Sequence, residues 1–415
     1  MDTRQSSAPV VVYISHWFPK ASETFIFYEV EGLFARGVPV SVCSLYGLRA
    51  GNLSPRMLRS PVPVQRLGFP AVPRVLAAVL RALRRDRQKA TAILRDIFLR
   101  RWRTLELRLE NAWAGLCGFY LAEQFRDRGV GHVHAAWGNG PATTAWVIRR
   151  LAGIPFSISV HSIDVRPSDG VLADKLAAAS FARADSSCNM PVLAALEPGT
   201  DKHHLIYTAR TLTPAEPAAV RLERPLRLLC VGRFLQLKGF HYAVEALALL
   251  ASRGVEAELT LAGSGLWGYA LKRLARRLGV AGRVHFPGFV AHDRMSELMR
   301  ASDILLMPSI VRPGSGRSDS LPTVIVEAML HGLPVIGSNI ASFGDVIRHG
   351  ETGLLVPERD APALASAIES LARDREKALR MASAGRELVL AMFDPDANLG
   401  RLTELFARYA GPART

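Results

Sequence analysis

Short runs of Val, Ile and Leu alternate with helical patterns along the whole of this 415-residue chain. In the first half, four runs have the composition of β-strands: VVVYIS (10–15), VPVSVCSL (38–45), HVHAAW (132–137) and FSISVHS (156–162). Strands that are apolar on both faces and separated by helices are typical of parallel sheets covered on both sides. The sequence therefore predicts an α/β protein.

A proline-rich segment divides this alternation into two series. TLTPAEPAAVRLERP (211–225) has the composition of a linker, and a second set of strands and helices follows it. Because a chain of this length exceeds the usual size of one hydrophobic core, we expect two doubly wound, Rossmann-like domains, at 1–210 and 226–390, facing a cleft. Ligands of such sheets bind beyond the carboxyl ends of the strands, so the chemistry is expected in the loops that follow the strands.

The net charge of +15 is concentrated in the first half of the chain. Between 74 and 108, 11 basic residues accompany 3 acidic ones, and apolar residues recur there at helical spacing. Such basic amphipathic helices either lie on an anionic membrane surface or pack with a solvated basic face. No zinc-finger, RNP-type or basic-zipper pattern accompanies the charge, so nucleic acid is not expected as a partner; steep salt dependence of duplex binding would argue otherwise.

The same sequence gives an expectation about localisation. No apolar run reaches the roughly 18 residues that a membrane span requires. The first residues, MDTRQSSAP, lead directly into VVVYIS without the layout of a signal peptide. We therefore expect a cytoplasmic protein that is peripheral at the inner face of the cell membrane.

Two loops of the second series carry residues suited to phosphate. VGRFLQLKG (231–239) places Arg233 and Lys238 directly after an apolar strand. Two cations there suit a diphosphate, the alternative being an ordinary solvated pair. AGSG (262–265) contains Gly263 and Gly265 without a third spaced glycine. It is poor evidence for a dinucleotide site, and predicts a tight turn or a close approach to a ligand.

The stretch SDSLPTVIVEAM (318–329) reads as a polar loop running into an apolar helix. Ser318, Asp319 and Ser320 are suitable capping residues, and Pro322 fits the first helical turn. The helix start would present N–H groups and a positive dipole end to a phosphate. Asp319 and Glu327 would then flank that site as acceptors for sugar hydroxyls, whereas an N-cap acid and a surface glutamate are the alternative.

Several of these motifs, in this order, resemble the carboxyl-terminal domain of GT-B glycosyltransferases of the retaining family 4. The resemblance runs from about 226 to 360 and rests on five stretches: VGRFLQLKG, LAGSG, RVHFPGFV, DILLMPS and TVIVEAMLHGLPVIGSNIASFGDVIRHGETGLLV. More loosely, FPKASETFI (18–26) and the stretch 132–165 resemble the amino-terminal domain of bacterial exopolysaccharide and lipopolysaccharide transferases such as the colanic acid group. The last segment, 391–415, resembles the helix that crosses back to the first domain in this fold.

The resemblance implies a hexosyltransferase that moves a sugar, with retention of anomeric configuration, from a nucleoside diphosphate sugar to an acceptor. A UDP-sugar is favoured over a GDP-sugar as donor. The acceptor, bound by the amino-terminal domain, is expected to be a saccharide or a polyprenyl-linked saccharide of a cell-surface polysaccharide. A low-turnover nucleotide-sugar-binding or scaffold subunit is the alternative, because Asp319 replaces the usual glutamate and the family's amino-terminal Gly-Gly loop is missing.

The resemblance also assigns side chains to roles. Arg233 and Lys238 match the family's diphosphate-binding pair. Asp319 takes the first place of the E-x7-E motif, whose first glutamate binds hydroxyls of the donor sugar, and Glu327 takes the second, which binds the ribose. His161, in SVHSID, matches a histidine near the donor sugar, with a structural histidine at a strand end as the alternative.

Further roles fall on the loops. The stretch around the helix start matches a phosphate-binding backbone and, with the AGSG glycines, is expected to bind the donor: Ser320, Leu321, Pro322, Thr323, Gly263 and Gly265. The segment from Lys20 to Thr24 occupies the place of the Gly-Gly loop. Ser22, Glu23 and Thr24 are therefore expected near the diphosphate and the acceptor.

No metal or other cofactor is expected. DPD (394–396) mimics the DxD of metal-dependent transferases of another fold, but it precedes the terminal helix and is typical of a turn and cap. The histidine pairs at 132 and 134 and at 203 and 204 lack the third and fourth ligands that a metal site requires.

Overall fold

A computed structural model of the chain describes residues 10–47, 53–100, 102–165, 168–208, 222–312 and 318–410. The chain divides into two compact units: unit 1 comprises Met1–Thr211 and Pro395–Thr415, and unit 2 comprises Leu212–Asp394. The predicted linker at 211–225 falls largely outside the described residues. Each unit is built on a parallel sheet with helices, which confirms the predicted α/β class.

Unit 1 begins with strands and helices in alternation. Its strands are β1 (Val11–Ser15), β2 (Val40–Ser44), β3 (Val64–Arg66), β4 (His132–Ala135), β5 (Phe156–Val160), β6 (Phe181–Ala184) and β7 (His203–Leu205). Its helices up to this point are α1 (Thr24–Ala35), α2 (Pro55–Leu58), α3 (Val72–Arg85), α4 (Arg87–Phe98), α5 (Leu105–Asp127), α6 (Gly140–Ala152), α7 (Ser162–Val165), α8 (Leu172–Ala178) and α9 (Met190–Leu196). The described strands lie side by side in the order β3-β2-β1-β4-β5-β6-β7.

Unit 2 repeats the alternation. Its strands are β8 (Leu226–Val231), β9 (Ala257–Ala262), β10 (Val284–Gly288), β11 (Ile304–Met307), β12 (Val335–Ser338) and β13 (Leu354–Val356). Its helices are α10 (Phe240–Ser252), α11 (Gly268–Arg277), α12 (His292–Arg300), α13 (Thr323–Leu330), α14 (Ala361–Arg373) and α15 (Arg375–Met392). The described strands are ordered β10-β9-β8-β11-β12-β13. Strands β8 and β11 are therefore neighbours, and the loops after them leave the same edge of the sheet.

The chain ends in unit 1 as α16 (Pro395–Tyr409). Leu399, Leu402 and Phe406 recur on one face of this helix and are buried in the core that covers one side of the unit 1 sheet. A Cβ added at Gly32 of α1 would lie 2.6 Å from a Leu399 methyl, so the glycine makes room for the leucine. The apolar periodicity of the last segment is thus satisfied by packing on α1 and the sheet.

The basic segment at 74–108 lies on α3, α4 and the start of α5. On α3, Val75, Ala78 and Val79 are buried, whereas Leu76 and Leu80 are 50% and 54% exposed. The apolar residues of this helix therefore divide between the protein core and solvent. Among the described residues, none of the helices is both long enough and apolar enough to cross a bilayer.

Strand β6 was not predicted from the sequence. Its sequence, FARA, lacks β-branched residues, and it carries Arg183, which is 1% exposed. Arg183 pairs with Glu29 of α1, and the Tyr13 hydroxyl donates to the same carboxylate at 3.0 Å. Burial of the Arg183 charge is tolerated because Glu29 pairs with it. Local sequence patterns do not indicate so distant a partner. Strands β3 and β7 were missed as well.

Candidate functional site

The loop after β8 is shaped by close contact with the AGSG loop after β9. A Cβ at Gly263 would lie 1.9 Å from the Gly232 carbonyl oxygen, and one at Gly265 would lie 2.7 Å from that of Phe234. The backbone N–H of Phe234 donates to the Ser264 carbonyl at 2.8 Å. The glycines of AGSG therefore allow two loops of the chain to touch, whereas the predicted close approach to a ligand stays a prediction.

Lys238 lies at the end of the same loop and contacts Asp319, in the segment before α13. Its ammonium donates to Asp319 Oδ1 at 2.9 Å, and the Ser309 hydroxyl donates to Asp319 Oδ2 at 2.7 Å. Both side chains of the ion pair are mostly buried, at 14% and 17% exposure. The pair thus fixes the loops after β8 and β11 to one another at the carboxyl edge of the sheet.

Three hydrogen bonds to backbone groups reinforce this connection. The N–H of Ile310 donates to the Leu237 carbonyl at 2.8 Å. On the other side, the N–H of Val311 donates to a Glu358 carboxylate oxygen at 2.7 Å, and Arg359 donates to the Val311 carbonyl. Ile310 and Val311, which follow β11, are therefore held from both sides.

Arg233 lies at the carboxyl end of β8, five residues before Lys238, and its side chain is exposed. Because a guanidinium at this position is open to solvent, it is accessible to an anion without the breaking of a buried ion pair. The two predicted cations therefore differ: Lys238 is paired with Asp319, whereas Arg233 is exposed at the edge of the unit 2 sheet.

The predicted capping of α13 is wrong. Pro322 is the residue that flanks the helix, Thr323 is its first residue, and no side chain caps it. The carboxylate of Asp319 is engaged with Lys238 and Ser309 instead, and the Ser320 carbonyl accepts from the Ser342 N–H at 3.2 Å. The start of α13 therefore lies next to the Asp319 loop with backbone N–H groups that a helix cannot satisfy internally.

Glu327 lies on α13 among apolar residues that form the core. Its neighbours Val326 and Ala328 are buried, and Glu327 is half-buried. The other residues from Val324 to Leu330 are all buried. This is the partly shielded position that a side chain needs if it is to accept hydrogen bonds from ligand hydroxyls.

In unit 1, His161 follows β5 and is buried. Its Nδ1 lies 2.7 Å from Asp185 Oδ2, and its Nε2 lies 3.2 Å from the Ala136 carbonyl oxygen. Its backbone N–H donates to Asp164 Oδ2 at 2.9 Å. Both ring nitrogens thus have partners inside unit 1, so a contact of this ring with a donor sugar would replace the longer bond to Ala136.

Burial and neighbouring carboxylates act in opposite directions on the pKa of His161. Burial alone lowers the pKa of the imidazole, but the Asp185 carboxylate outweighs burial and raises that pKa above its ordinary value. For Asp185, burial acts to raise the pKa, and the charge of His161 and its hydrogen bond lower it overall. Burial raises the pKa of Asp164 to about 6. The Asp185 carboxylate therefore favours the protonated form of His161, against the effect of burial.

Ser22, Glu23 and Thr24 lie at the start of α1, in the loop after β1. Ser22 is exposed, Glu23 flanks the helix, and Thr24 is its first residue. Glu23 pairs with Lys20 and is 8% exposed. This segment and His161 both follow unit 1 strands, whereas the other predicted site residues belong to unit 2.

Two residues of these hydrogen-bond networks, Ser309 and Asp185, were not predicted from the sequence. Ser309 comes directly after the strand-like DILLMP, so its position at a carboxyl strand end was a usable signal. Asp185 follows β6, and because that strand was not predicted, no signal marked it. Of the predicted residues, the structure joins Lys238 directly to Asp319 and places the AGSG glycines against the loop that bears Arg233.

The structure also shows the surroundings of the DPD segment. Asp396 lies in the first turn of α16 and pairs with Arg36 of α1. Within the described part of the chain, no group of three or more His, Cys, Asp or Glu side chains is arranged to hold a metal ion.

A family model matches the part of the chain that carries the Lys238–Asp319 pair. Residues 214–388 match the family model for glycosyl transferases group 1. The match covers β8 to α14 and most of α15.

Two curated relatives differ in how much of the chain they match. The chain is 34% identical over 182 residues to a GDP-mannose-dependent alpha-(1-6)-phosphatidylinositol monomannoside mannosyltransferase of Mycobacterium tuberculosis (strain CDC 1551 / Oshkosh), covering 44% of this chain and 47% of that protein. It is 26% identical over 392 residues to the putative colanic acid biosynthesis glycosyltransferase WcaL of Escherichia coli (strain K12), covering 90% and 93%. The chain thus spans about half the length of the first of these relatives and nearly all of the second.

Among solved structures, the chain is similar to Anabaena HepE, crystallised in complex with UDP. The TM-score is 0.71 at 17% identity, over 96% of this chain and 99% of the other. At this identity the likeness shows the fold, and it confirms the predicted GT-B architecture.

Proposed function

We propose that the chain is a retaining glycosyltransferase, because residues 214–388 match the family model for glycosyl transferases group 1. It moves a sugar from a nucleoside diphosphate sugar to a saccharide or lipid-linked saccharide in cell-surface polysaccharide biosynthesis. The observation that carries this proposal is the 2.9 Å bond between Lys238 and Asp319. It brings a cation suited to a diphosphate and a carboxylate suited to sugar hydroxyls to one point at the carboxyl edge of a parallel sheet.

The proposed chemistry follows from charge. As the bond between the anomeric carbon and the diphosphate breaks, negative charge grows on the leaving phosphate and positive charge grows on the sugar ring. Arg233, Lys238 and the N-terminus of α13 stabilise the leaving phosphate, and a preorganised donor of this kind contributes about 3 kcal/mol to the lowering of the barrier. The acceptor hydroxyl attacks from the face that the leaving group vacates, so no side chain is assigned as a covalent nucleophile.

Recognition of the donor is divided between the two acids. Asp319 accepts hydrogen bonds from the donor sugar while it remains paired with Lys238. Glu327, half-buried one helical turn into α13, accepts from the ribose hydroxyls. The backbone of Ser320 to Thr323 and the AGSG loop line the same donor site.

The donor is proposed to be a UDP-sugar in preference to a GDP-sugar. The solved structure of similar fold contains UDP, which supports this preference. The mycobacterial relative is named for GDP-mannose, so a GDP-sugar is the alternative that the nucleotide experiment below separates.

Transfer is proposed to need no metal ion, because Arg233 and Lys238 already provide two positive charges for the diphosphate. Dialysis against EDTA is expected to leave the transfer rate unchanged. Loss of activity that Mg²⁺ or Mn²⁺ restores would contradict this part of the proposal.

The acceptor is proposed to lie at an anionic membrane surface. WcaL, which matches nearly the whole chain, is named for colanic acid biosynthesis. On α3, the exposed Leu76 and Leu80 lie one helical turn apart, and Arg84 follows one turn later. Apolar side chains flanked by arginine are typical of helices that insert into the interface of a bilayer with acidic lipids.

The proposal is tested by thermal unfolding in UDP, GDP, ADP and CMP. A nucleotide at about 100 times its dissociation constant is expected to stabilise the protein by about 2.7 kcal/mol. The shift should be lost in Glu327→Ala and kept in Glu376→Ala, which removes an exposed acid of α15. The absence of a shift with all four nucleotides at millimolar concentration would contradict the proposal and favour a scaffold subunit.

A further inference from the structure

The loop after β13 contacts the loop after β11 although the two strands are not neighbours. In the unit 2 sheet, β12 lies between them. Glu358 and Arg359, which follow β13, both act on Val311. The Val311 N–H donates to a Glu358 carboxylate oxygen at 2.7 Å, and Arg359 donates to the Val311 carbonyl. Two consecutive side chains thus satisfy both backbone polar groups of one residue, and we call this arrangement the Val311 clamp.

The backbone of Arg359 explains how two consecutive side chains reach the same residue. In an extended segment, successive side chains point to opposite sides. Arg359 has a φ of 64°, in the left-handed region that residues with a Cβ rarely adopt. This conformation breaks the alternation, and Arg359 Nε lies 3.7 Å from a Glu358 carboxylate oxygen. Strained residues of this kind persist where surrounding contacts maintain them, and they cluster at functional sites.

The clamped segment is connected to both donors of the Asp319 carboxylate. Ser309 lies in this segment and donates to Asp319 Oδ2 at 2.7 Å. The N–H of Ile310 donates to the Leu237 carbonyl at 2.8 Å. Lys238, the residue after Leu237, donates to Asp319 Oδ1 at 2.9 Å. Displacement of the segment would therefore change the geometry at both carboxylate oxygens.

The same loop also carries a residue with a purely structural contact. Asp360 follows Arg359 and caps α14, because its side chain accepts from the Ala363 N–H at 2.7 Å. Glu358 is half-buried and Arg359 is exposed, so neither contributes a buried side chain to the core. The contact with Val311 and the capping of α14 therefore belong to different side chains and can be tested separately.

We propose that Glu358 and Arg359 are positioning residues for recognition of the donor sugar. By holding Val311 they fix the segment that carries Ser309. Ser309 in turn orients the Asp319 carboxylate, and a binding group acts well only when supporting hydrogen bonds hold it in its productive orientation. The inference deepens the proposed glycosyltransferase function and rests on it for the role of Asp319.

Hydrogen exchange and transfer kinetics on the full chain test the inference together. In Glu358→Ala, amide exchange at Ile310 and Val311, measured by mass spectrometry, should become about tenfold faster, because a charged acceptor is lost. The kinetic probe is the labelled donor that the wild type transfers, among UDP-glucose, UDP-galactose, UDP-N-acetylglucosamine and GDP-mannose. Its kcat/KM should fall by about tenfold. Glu358→Gln, whose amide oxygen still accepts, should restore most of both properties.

Arg359→Gly separates positioning from stability. Glycine adopts the left-handed conformation without strain, so the free energy of unfolding in urea should not fall. Exchange at Val311 should nevertheless rise and kcat/KM should fall, because the guanidinium is lost. Asp360→Ala is the matched control. It loses the cap of α14 and should be less stable, yet its Val311 exchange and its kcat/KM should remain those of the wild type.

A double-mutant cycle with Ser309→Ala tests the route by which the clamp acts. If Glu358 acts through Ser309, the double variant Glu358→Ala/Ser309→Ala should lose little more kcat/KM than Ser309→Ala alone. Additive losses would show that Glu358 acts by another route and would overturn the inference.

The remaining outcomes are also decisive. Unchanged exchange at Ile310 and Val311 in both Glu358→Ala and Arg359→Gly overturns the inference, as does faster exchange with unchanged kcat/KM. An equal loss of kcat/KM in Asp360→Ala would assign the effect to general destabilisation and overturn it as well. Failure of the proposed function gives a different pattern, in which exchange becomes faster but the wild type transfers none of the four sugars. That pattern refutes the transferase proposal, and with it the role at the donor sugar, while the clamp itself stands.

Discussion

The ammonium of Lys238 and the carboxylate of Asp319, 81 positions apart in the sequence, lie 2.9 Å apart at the carboxyl edge of the unit 2 sheet. Ser309 donates to the second oxygen of the same carboxylate at 2.7 Å. An aspartate at this position is therefore fixed by two donors before any ligand binds. The pair couples the predicted diphosphate loop to the predicted sugar loop, and the first predictions depend on it.

Removing the Lys238 ammonium is expected to slow transfer strongly. In Lys238→Met, the leaving phosphate loses one preorganised donor, and kcat should fall by about 100-fold or more. Steady-state kinetics with saturating donor measures this. Lys238→Arg should retain part of the rate, and Arg276→Met, on the exposed face of α11, should retain all of it. An unchanged kcat in Lys238→Met would remove Lys238 from the mechanism.

Changing Asp319 is expected to change the choice of sugar. Asp319→Glu moves the carboxylate by about 1.5 Å and cannot keep both the Lys238 and Ser309 bonds at their present lengths. The ranking of kcat/KM across donors that share one base should therefore change. Asp319→Asn should weaken all donors together, because it removes the charge that orients Lys238. The same ranking in wild type and Asp319→Glu would show that Asp319 does not contact the sugar.

Adding a methyl group at Gly239 is expected to destabilise unit 2. Gly239 has a φ of 63° and a Cβ there would lie 1.7 Å from the Pro308 carbonyl oxygen. Gly239→Ala should lower the free energy of unfolding by about 3 kcal/mol or more. Gly254→Ala is the matched control, since its φ is 73° and nothing lies within 4 Å; backbone strain alone should cost it about 1 kcal/mol. Urea unfolding of both variants measures the difference, and equal losses would contradict the close contact.

The His161–Asp185 pair predicts a pH dependence of stability. The pKa of His161 is raised in the fold, so its stabilisation is complete below the unfolded value of about 6.5 and is lost as the pH rises through the folded value. The pKa of Asp185 is lowered, so its stabilisation is present above about 3.9 and is lost as the pH falls. Asp185→Asn removes both effects.

Urea unfolding of wild type and Asp185→Asn at about pH 6 and about pH 9 tests this sign. The difference between the two proteins should be larger at the lower pH. Asp164 and Arg183 also act on this pair, but both remain in both proteins. A difference that is equal at the two pH values, or that grows toward alkaline pH, would contradict a raised pKa of His161 in the fold.

Contact with membranes is expected to depend on the exposed leucines of α3. Replacing Leu76 and Leu80 together by Glu should weaken cosedimentation with vesicles rich in acidic phospholipid by about tenfold or more. Leu379→Glu, at a 38% exposed leucine of α15, serves as the control and should bind as wild type does. Equal binding of the double variant and the control would contradict membrane contact through α3. The basic helices would then have a solvated face only.

The sequence predicted the fold well where the signal is local. Apolar runs such as those of β1 and β5 identified buried strands, because parallel strands covered on both faces must be apolar throughout. It failed where a strand depends on a distant partner: Arg183 of β6 is buried only because Glu29, 154 positions away, accepts its charge. No periodicity within FARA could reveal this.

The candidate site shows the same division. Positions after strands marked Arg233, Lys238 and His161, because carboxyl strand ends are where parallel sheets bind ligands. An N-cap role for Asp319, the alternative to an acceptor of sugar hydroxyls, is wrong, since its carboxylate is bound by Lys238 and Ser309 and no side chain caps α13. Local capping preference was overridden by a charge on another loop.

Sugar transfer by the purified protein tests the proposed function most directly. Radiolabelled UDP-glucose, UDP-galactose, UDP-N-acetylglucosamine and GDP-mannose are each incubated with the protein and with membranes that carry lipid-linked saccharides. We predict that one donor, a UDP-sugar, places label in the lipid-linked fraction and that Lys238→Met abolishes the incorporation. Binding of a nucleotide without incorporation from any of the four donors would contradict the claim that the protein transfers a sugar to such an acceptor.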